Sequence, residues 1–242
     1  MFFFSKKSTI DPSPMMKTDI HSHLIPCIDD GSQSLEESLD ILRKMSSLGY
    51  EKVITTPHIM ADTYRNSSKT ILDGLSTLHN SIIDEKIDIK IDAAAEYYFD
   101  ETLIDRLESD DILTIGDSYL LFETSYISKP INFDDIIFQI STKGYTPLLA
   151  HPERYRYISN PKKLYTQMKD MGICFQLDIN SLGGHYGKQA FELSKLLIDW
   201  GMVDFLGSDI HHKKQVEYLK GVFVGEYYRT IWDKNEIKND LL

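Results

Sequence analysis

The chain has 242 residues, 42% of them hydrophobic and 26% charged, and its 26 Lys and Arg against 37 Asp and Glu give a net charge of −11. This is the composition of a globular chain with enough apolar mass for a sizeable core. The acidic balance disfavours a protein whose main partner is a nucleic-acid backbone, because no basic excess exists to displace counterions. Two cysteines, Cys27 and Cys174, are too few for a disulfide framework and fit a reducing compartment; Gln33 and Asn180, six positions on, exclude the Cys-x5-Arg loop of thiol phosphatases.

Residues 1–7 put three phenylalanines ahead of two lysines, a run too short for a secretory core or a membrane span, so residues 1–16 read as a tail. No later stretch reaches a spanning length without charges, and the expected location is the cytoplasm. From residue 17 onward β-rich runs alternate with amphipathic segments without a linker, which predicts a single domain over 17–242. Strands are expected at 18–20, 52–55, 89–94, 119–123, 146–150, 174–178 and 203–207.

Between them, 34–48 reads as a helix with Leu35, Leu39, Leu42 and Met45 on one stripe, Ser34 and Glu37 at capping-box spacing and Gly49 at its stop. A second covers 68–85 with Ile71, Leu72, Leu75, Leu78 and Ile82 inward. Others are expected at 133–143, 161–171 and 187–200, whereas periodicity over 225–242 is too irregular to assign. Repeated strand-then-helix units with right-handed crossovers build either an open doubly wound sheet or a closed barrel. The polar residues favour the barrel.

Six candidate strands finish in His, Asp or Glu: DIHSH at 19–23, TPH at 56–58, AE at 95–96, FET at 122–124, AHP at 150–152 and SDIH at 208–211. In a β/α barrel these ends share the face where active sites are assembled. His21 and His23, two apart on an extended segment, fall on one side as a single metal requires, although a pair alone could equally be two loop histidines. Asp29-Asp30-Gly31 could be no more than an Asx turn, and His58 and His151 beside prolines could be satisfied loop residues. Glu96 behind Ala93-Ala94-Ala95, and Glu123 behind Leu120-Leu121-Phe122, must be paired, protonated or bound to a metal. Asp209 and His211 repeat the two-residue spacing.

Six such ends together point to a dinuclear or trinuclear centre, whose mixed nitrogen and oxygen ligands suit Mn, Zn or Fe and argue against Ca or Mg alone. Closely spaced metals of this kind favour hydrolysis, most naturally of a phosphoester. Arg154 lies just beyond His151, where a guanidinium can grip a phosphate bidentately; the alternative is a surface arginine paired with Glu153. His79, His185 and His212 read as outside the site. Tyr97-Tyr98-Phe99 and Tyr155-Arg156-Tyr157 either line a substrate cleft or pack the rim.

With these residues in view, the sequence resembles the PHP superfamily, named for polymerase and histidinol phosphatase, and within it the PHP-type tyrosine-protein phosphatases of bacterial capsule and exopolysaccharide loci. The resemblance runs from about Asp19 to Leu219 through DIHSHLIPCIDDGSQSLEES, VITTPHI, AAAEYY, LLFETS, PLLAHPERY, QLDINSLGGHYGK and VDFLGSDIHH. It implies a distorted (β/α)7 TIM-like barrel and two or three ions, preferably manganese. His21, His23, Asp30, His58, Glu96, Glu123, His151, Asp209 and His211 would be the ligands, with Glu96 bridging and Asp30, Glu123 and His211 forming the third site.

The resemblance further implies a protein-tyrosine phosphatase acting on the tyrosine-rich tail of a bacterial autokinase that controls polysaccharide export, by attack of a metal-bridging hydroxide, with Arg154 neutralising charge on the phosphoryl oxygens. Some relatives carry a second arginine after the last Asp-x-His; here His212-Lys213-Lys214 follows, leaving Lys213, Lys214 or Arg65 as substitutes. The same ligands would serve a small-molecule phosphomonoesterase of histidinol-phosphate type, or a non-catalytic metal-binding regulatory module.

Overall fold

A computed structural model describes residues 13–242, so the phenylalanine cluster at 2–4 lies outside the described residues. Nine short strands, all parallel, alternate with helices: β1 (Thr18–Asp19), β2 (Lys52–Thr55), β3 (His58–Ile59), β4 (Lys90–Ala93), β5 (Glu96–Tyr98), β6 (Tyr119–Glu123), β7 (Thr146–Ala150), β8 (Cys174–Asp178) and β9 (Phe205–Gly207). They form two ladders, β1-β2-β4 and β3-β5-β6-β7-β8-β9. β3 continues the line of β2, and β5 that of β4; Pro57, which has no N–H to donate, stands at the first break.

Joined across these breaks, the nine segments are the seven expected strands, and the ring closes. Ser22 bridges Ile210 in parallel, His23 N–H donates to Ile210 C=O at 2.9 Å, and Asp209 N–H donates to His21 C=O at 2.8 Å. The fold is thus an α/β, distorted seven-stranded barrel. Its seam is finished by side chains. Buried Asp19 accepts from the Ser208 N–H at 2.8 Å and hydroxyl at 2.7 Å, while Asn239 spans Thr18 and Leu206 with three bonds of 2.7–2.9 Å.

Eight helices pack around this ring: α1 (Leu35–Leu48), α2 (Ser68–Asp84), α3 (Glu101–Ser109), α4 (Phe133–Thr142), α5 (Pro161–Asp170), α6 (Gly187–Asp199), α7 (Lys213–Phe223) and α8 (Glu226–Lys234). α1 starts where Ser34 Oγ accepts from Glu37 N–H and stops at Gly49, whose φ of 108° only glycine adopts readily. The Glu37 carboxylate turns back to Gln33 N–H rather than to Ser34. In α2, Ile71, Leu78 and Ile82 are buried but Leu72 is exposed, contrary to expectation, because the inward stripe is narrower than five residues. Helices α3, α7 and α8 had no sequence expectation; α8 buries only Tyr228 and Ile231, too few positions to show a period.

Strand alternation divides the core. Ile20, Ile54, Ala94, Leu121, Leu148, Ala150 and Phe205 fill the barrel, and a larger layer that includes Leu120, Phe122, Leu149, Phe175 and Leu177 packs against the helices. Leu242 packs on the inner cluster, and Met16 is buried in the outer one. No helix among the described residues is long and apolar enough to cross a membrane.

Candidate metal centre

The period of two that sends Leu121 into the barrel also sends Glu123 to its mouth, and places Gln176 and Asp178 there from β8. The loop after β1 is pinned by contact: a Cβ on Gly31 would stand 2.1 Å from His23 O, so only glycine lets Asp29-Asp30-Gly31 close over His23. His151 and Asp209 both sit in the left-handed region, at φ 34° and 47°. Strained backbone at two strand ends that carry candidate ligands is a mark of a working site.

Two imidazoles stand between two carboxylates. His21 Nε2 lies 3.3 Å from His23 Nε2, Glu96 Oε2 and Asp209 Oδ1, and His23 Nε2 lies 3.5 Å from Glu96 Oε2 and 3.3 Å from Asp209 Oδ1. Ligands about 2.0–2.2 Å from one tetrahedral ion stand roughly 3.3–3.6 Å apart, so His21, His23 and Glu96 match one shared ion, while Asp209 groups with His21 and His151. The tautomers agree. His21 Nδ1–H donates to Gln176 Oε1 at 2.8 Å and His23 Nδ1–H to Asp29 Oδ2 at 2.9 Å, so each ring would present Nε2 to a cation that displaces its Nε2 proton. Gln176 is oriented in turn, its Nε2 donating to Leu177 C=O and its Oε1 accepting from His151 N–H.

Glu96 Oε2 also lies 3.1 Å from His58 Nδ1, and Glu96 Oε1 lies 3.1 Å from His151 Nε2, with Glu123 3.5 and 3.8 Å from the same two rings. Glu96 Oε2, His58 Nδ1 and Asp209 Oδ1 are buried yet satisfy no hydrogen bond. Asp30 Oδ1, 3.5 Å from both His58 Nε2 and His211 Nε2, joins these rings and His23 in a further cluster. All nine expected ligands therefore meet at the barrel mouth, but Glu123 groups with His58 and Glu96; the expected trio of Asp30, Glu123 and His211 is not formed, since Glu123 approaches from β6 on the far side of His58.

Electrostatics follow from burying this many charges together. Burial opposes a charged His21, yet Glu96 and Asp209 raise it to about 9, whereas burial and Arg154 push His151 down to about 4. Burial, with Glu96 and Asp209 beside it, drives Glu123 well above the carboxylate range. Burial also works against an ionised Asp209, but Arg154 and His21 hold it well below that range.

Arg154 borders the centre with a side chain only 12% exposed. It does not pair with Glu153. One Nη2 donates to Asp178 Oδ2 at 2.6 Å and to Asp209, Nη1 reaches Tyr126 OH at 3.3 Å, the guanidinium lies 3.8 Å over the Tyr186 ring, and Nε–H is unpaired. Glu153 turns inward to Ser181 Oγ and Asp178 N–H. Among the proposed substitutes for a second arginine, Lys213 pairs with Asp40 and Arg65 Nε–H donates to Ala61 C=O. Tyr97, Phe99 and Tyr155 are buried packing, and His79, His185 and His212 are exposed. The residues missed from sequence are Gln176, Asp178, Tyr126 and Tyr186; Asp178 ends its strand in an acid as its neighbours do, so the signal for it was present.

The family model for capsular polysaccharide synthesis, CpsB/CapC, matches residues 17–218. The tyrosine-protein phosphatase YwqE of Bacillus subtilis (strain 168) is 30% identical over 198 residues, 81% of this chain and 78% of that protein. The tyrosine-protein phosphatase CpsB of Streptococcus pneumoniae is 28% identical over 204 residues, 80% and 82% of the two chains. A solved chain from crystal structures of these two proteins, described as unique metal-dependent tyrosine phosphatases, superposes with a TM-score of 0.77 at 26% identity, covering 89% of this chain and 91% of that one.

Proposed function

Because the chain belongs to the capsular polysaccharide synthesis family CpsB/CapC, we propose that it is a metal-dependent protein-tyrosine phosphatase, a phosphoric monoester hydrolase whose single domain spans 17–242. The observation that carries this reading is the set of buried nitrogen and oxygen atoms 3.1–3.5 Å apart around Glu96, of which Glu96 Oε2 and His58 Nδ1 make no hydrogen bond. His21, His23 and Glu96 would contribute to one metal position, His21, His151 and Asp209 to a second beside it, His58, Glu96 and Glu123 to another, and Asp30 and His211 with His23 and His58 to the outermost, with His21 and Glu96 shared between positions. The donor set suits manganese, with zinc or iron as alternatives. When bound, such ions supply Lewis-acid charge and a water acidic enough to act near neutral pH.

The protein's own groups do the rest. Arg154, anchored by Asp178 and flanked by Tyr126 and Tyr186, takes the phosphoryl oxygens through its unpaired Nε–H and the Nη donors, and the two aromatic rings wall the space a tyrosyl ring would occupy. Asp29 and Gln176 hold His23 and His21 in the tautomer that presents Nε2. Tyrosinate, with a reference pKa of about 10, leaves without much help from a general acid. The physiological substrate we infer is the phosphotyrosine-bearing tail of a bacterial tyrosine autokinase of polysaccharide export, met in the cytoplasm.

The test is hydrolysis of a phosphotyrosyl peptide beside a phosphoseryl peptide and histidinol phosphate, by metal-free protein resupplied with Mn, Zn or Mg. Selective, Mn-dependent release from phosphotyrosine is expected. Release from histidinol phosphate alone would replace the substrate, and binding without turnover would leave a regulatory module.

A further inference from the structure

A cavity of about 710 Å³ opens beside Arg154, lined by Tyr126, Ile127, Arg156, Tyr186, Lys188 and Gln189 among others. Its charge is unlike that of the chain around it. On a protein with a net charge of −11, three cations face this space, and its one acid, Glu153, is fully buried, with Oε1 accepting from Ser181 Oγ–H and Asp178 N–H. Arg156 and Lys188 are exposed, and neither side chain makes an ion pair among the described residues, whereas Lys44, Lys129, Lys143, Lys213 and Lys234 each meet a carboxylate.

Local geometry aims them. Arg154 ends a 3-10 turn (Pro152–Arg154), Tyr155 is extended and fully buried with its hydroxyl donating to Ala150 C=O, and Arg156 opens the next turn, so that Arg154 and Arg156 flank a buried anchor and both line the cavity. Lys188 stands in the first turn of α6, which has no side-chain cap and turns its start to the same space. Ile127, largely exposed at the rim, adds an apolar edge.

We propose that this cavity is a specificity subsite that takes the carboxylate of an Asp or Glu flanking the phosphotyrosine, held by Arg156, Lys188 and the start of α6. The inference rests on the phosphatase reading above and narrows its substrates to acidic phosphotyrosyl segments. The phosphate goes to Arg154 and the metals, and the neighbouring acid to the two free cations.

The experiment uses the full, Mn-loaded chain and phosphotyrosyl peptides that differ only in Glu, Gln or Lys at the flanking positions, with p-nitrophenyl phosphate as a reference that reaches no subsite. Exposed ion pairs are individually weak, so a Glu-over-Gln preference in kcat/KM of about fivefold is expected at low salt, shrinking as salt is raised. Arg156→Ala with Lys188→Ala should bring the ratio to one, and Arg156→Glu with Lys188→Glu should favour the Lys peptide. A ratio of one in the unmodified protein, or a preference that survives both pairs of substitutions, overturns the subsite while hydrolysis of all substrates leaves the phosphatase reading standing. No hydrolysis of any peptide or of the aryl phosphate overturns both.

Discussion

Asp29→Asn isolates the support beneath one histidine. Asp29 Oδ2 accepts from His23 Nδ1–H at 2.9 Å and His58 N–H at 3.1 Å, and Oδ1 accepts from Gly31 N–H at 2.9 Å. An amide has one acceptor where the carboxylate has two: if its oxygen serves His23 and His58, its NH2 meets the Gly31 N–H donor to donor. Burial raises the Asp29 pKa, but His23 and these bonds outweigh it and lower the group from the ordinary 3.8 to about 2, which corresponds to about 2 kcal/mol in the metal-free protein. Because the folded pKa is depressed, that stabilisation is present above about pH 4 and lost as pH falls toward 2. The variant should therefore melt about 4–8 °C lower at pH 7, and, with His23 no longer held, bind Mn some 10- to 100-fold more weakly in a chelator competition. Metal affinity within threefold of the unmodified protein, with an unchanged melting temperature, would refute the claim that Asp29 orients His23.

Arg154→Ala should cut phosphatase kcat by about 10²–10³ with metal content retained, and unchanged turnover would remove Arg154 from the phosphate site. Chelation should abolish hydrolysis reversibly and, for metal present at about 100 times its dissociation constant, lower the melting temperature by roughly 5–10 °C; an unmoved transition would mean no ion is held at the barrel mouth. Burial raises Asp19 to about 7 despite its bonds to Ser208, so its carboxyl binds more protons folded than unfolded. The associated stability is full below about pH 4 and is lost as pH rises from about 4 to 7, by at most about 4 kcal/mol, and Asp19→Asn should flatten the melting profile between pH 4 and 7, which calorimetry can read. Asn239→Ala strands the Leu206 N–H and C=O and the Thr18 C=O, an expected loss of about 3 kcal/mol or roughly 6–12 °C in melting temperature; a shift under 2 °C would show that the seam does not depend on it.

What the sequence disclosed tracks how local each cause is. Strands 52–55, 119–123, 146–150 and 174–178 fall where expected because β-branched or apolar runs there end in a turn or a polar residue, and α1 is bounded by a cap and a glycine that act within four residues. The interruption of the second and third strands was not legible: it comes from Pro57 and from the bend that carries Glu96 to the mouth, both settled by closure of the ring. Short α3, α7 and α8 bury two to four residues each, at helical spacing but over too few turns to stand out from the sequence around them. The nine candidate ligands could be listed because each closes a strand, but their partition into clusters depends on distances across the barrel, which no spacing along the chain encodes. That is why Glu123 was assigned to the wrong neighbours.

The seam ties fold to site. His21 and His23 follow the first strand, and Asp209 and His211 follow the last, so the clusters that pair His21 with Asp209 and His23 with His211 exist only if the two ends of the barrel meet. They meet through few backbone bonds. Below the site the contact is made by Asp19 on Ser208 and by Asn239 on Leu206 and Thr18, and Gly207 is there because a Cβ would stand 2.6 Å from that of His21. A buried carboxylate raised to about 7 is costly where an apolar contact would suffice, unless the strands must sit closer than apolar side chains allow. Side-chain bonds to backbone groups permit that approach, and Asp209 N–H on His21 C=O at 2.8 Å then fixes the separation of two candidate ligands directly. An ion held by His21 and Asp209 would clamp the mouth of the seam that Asn239 clamps at its base.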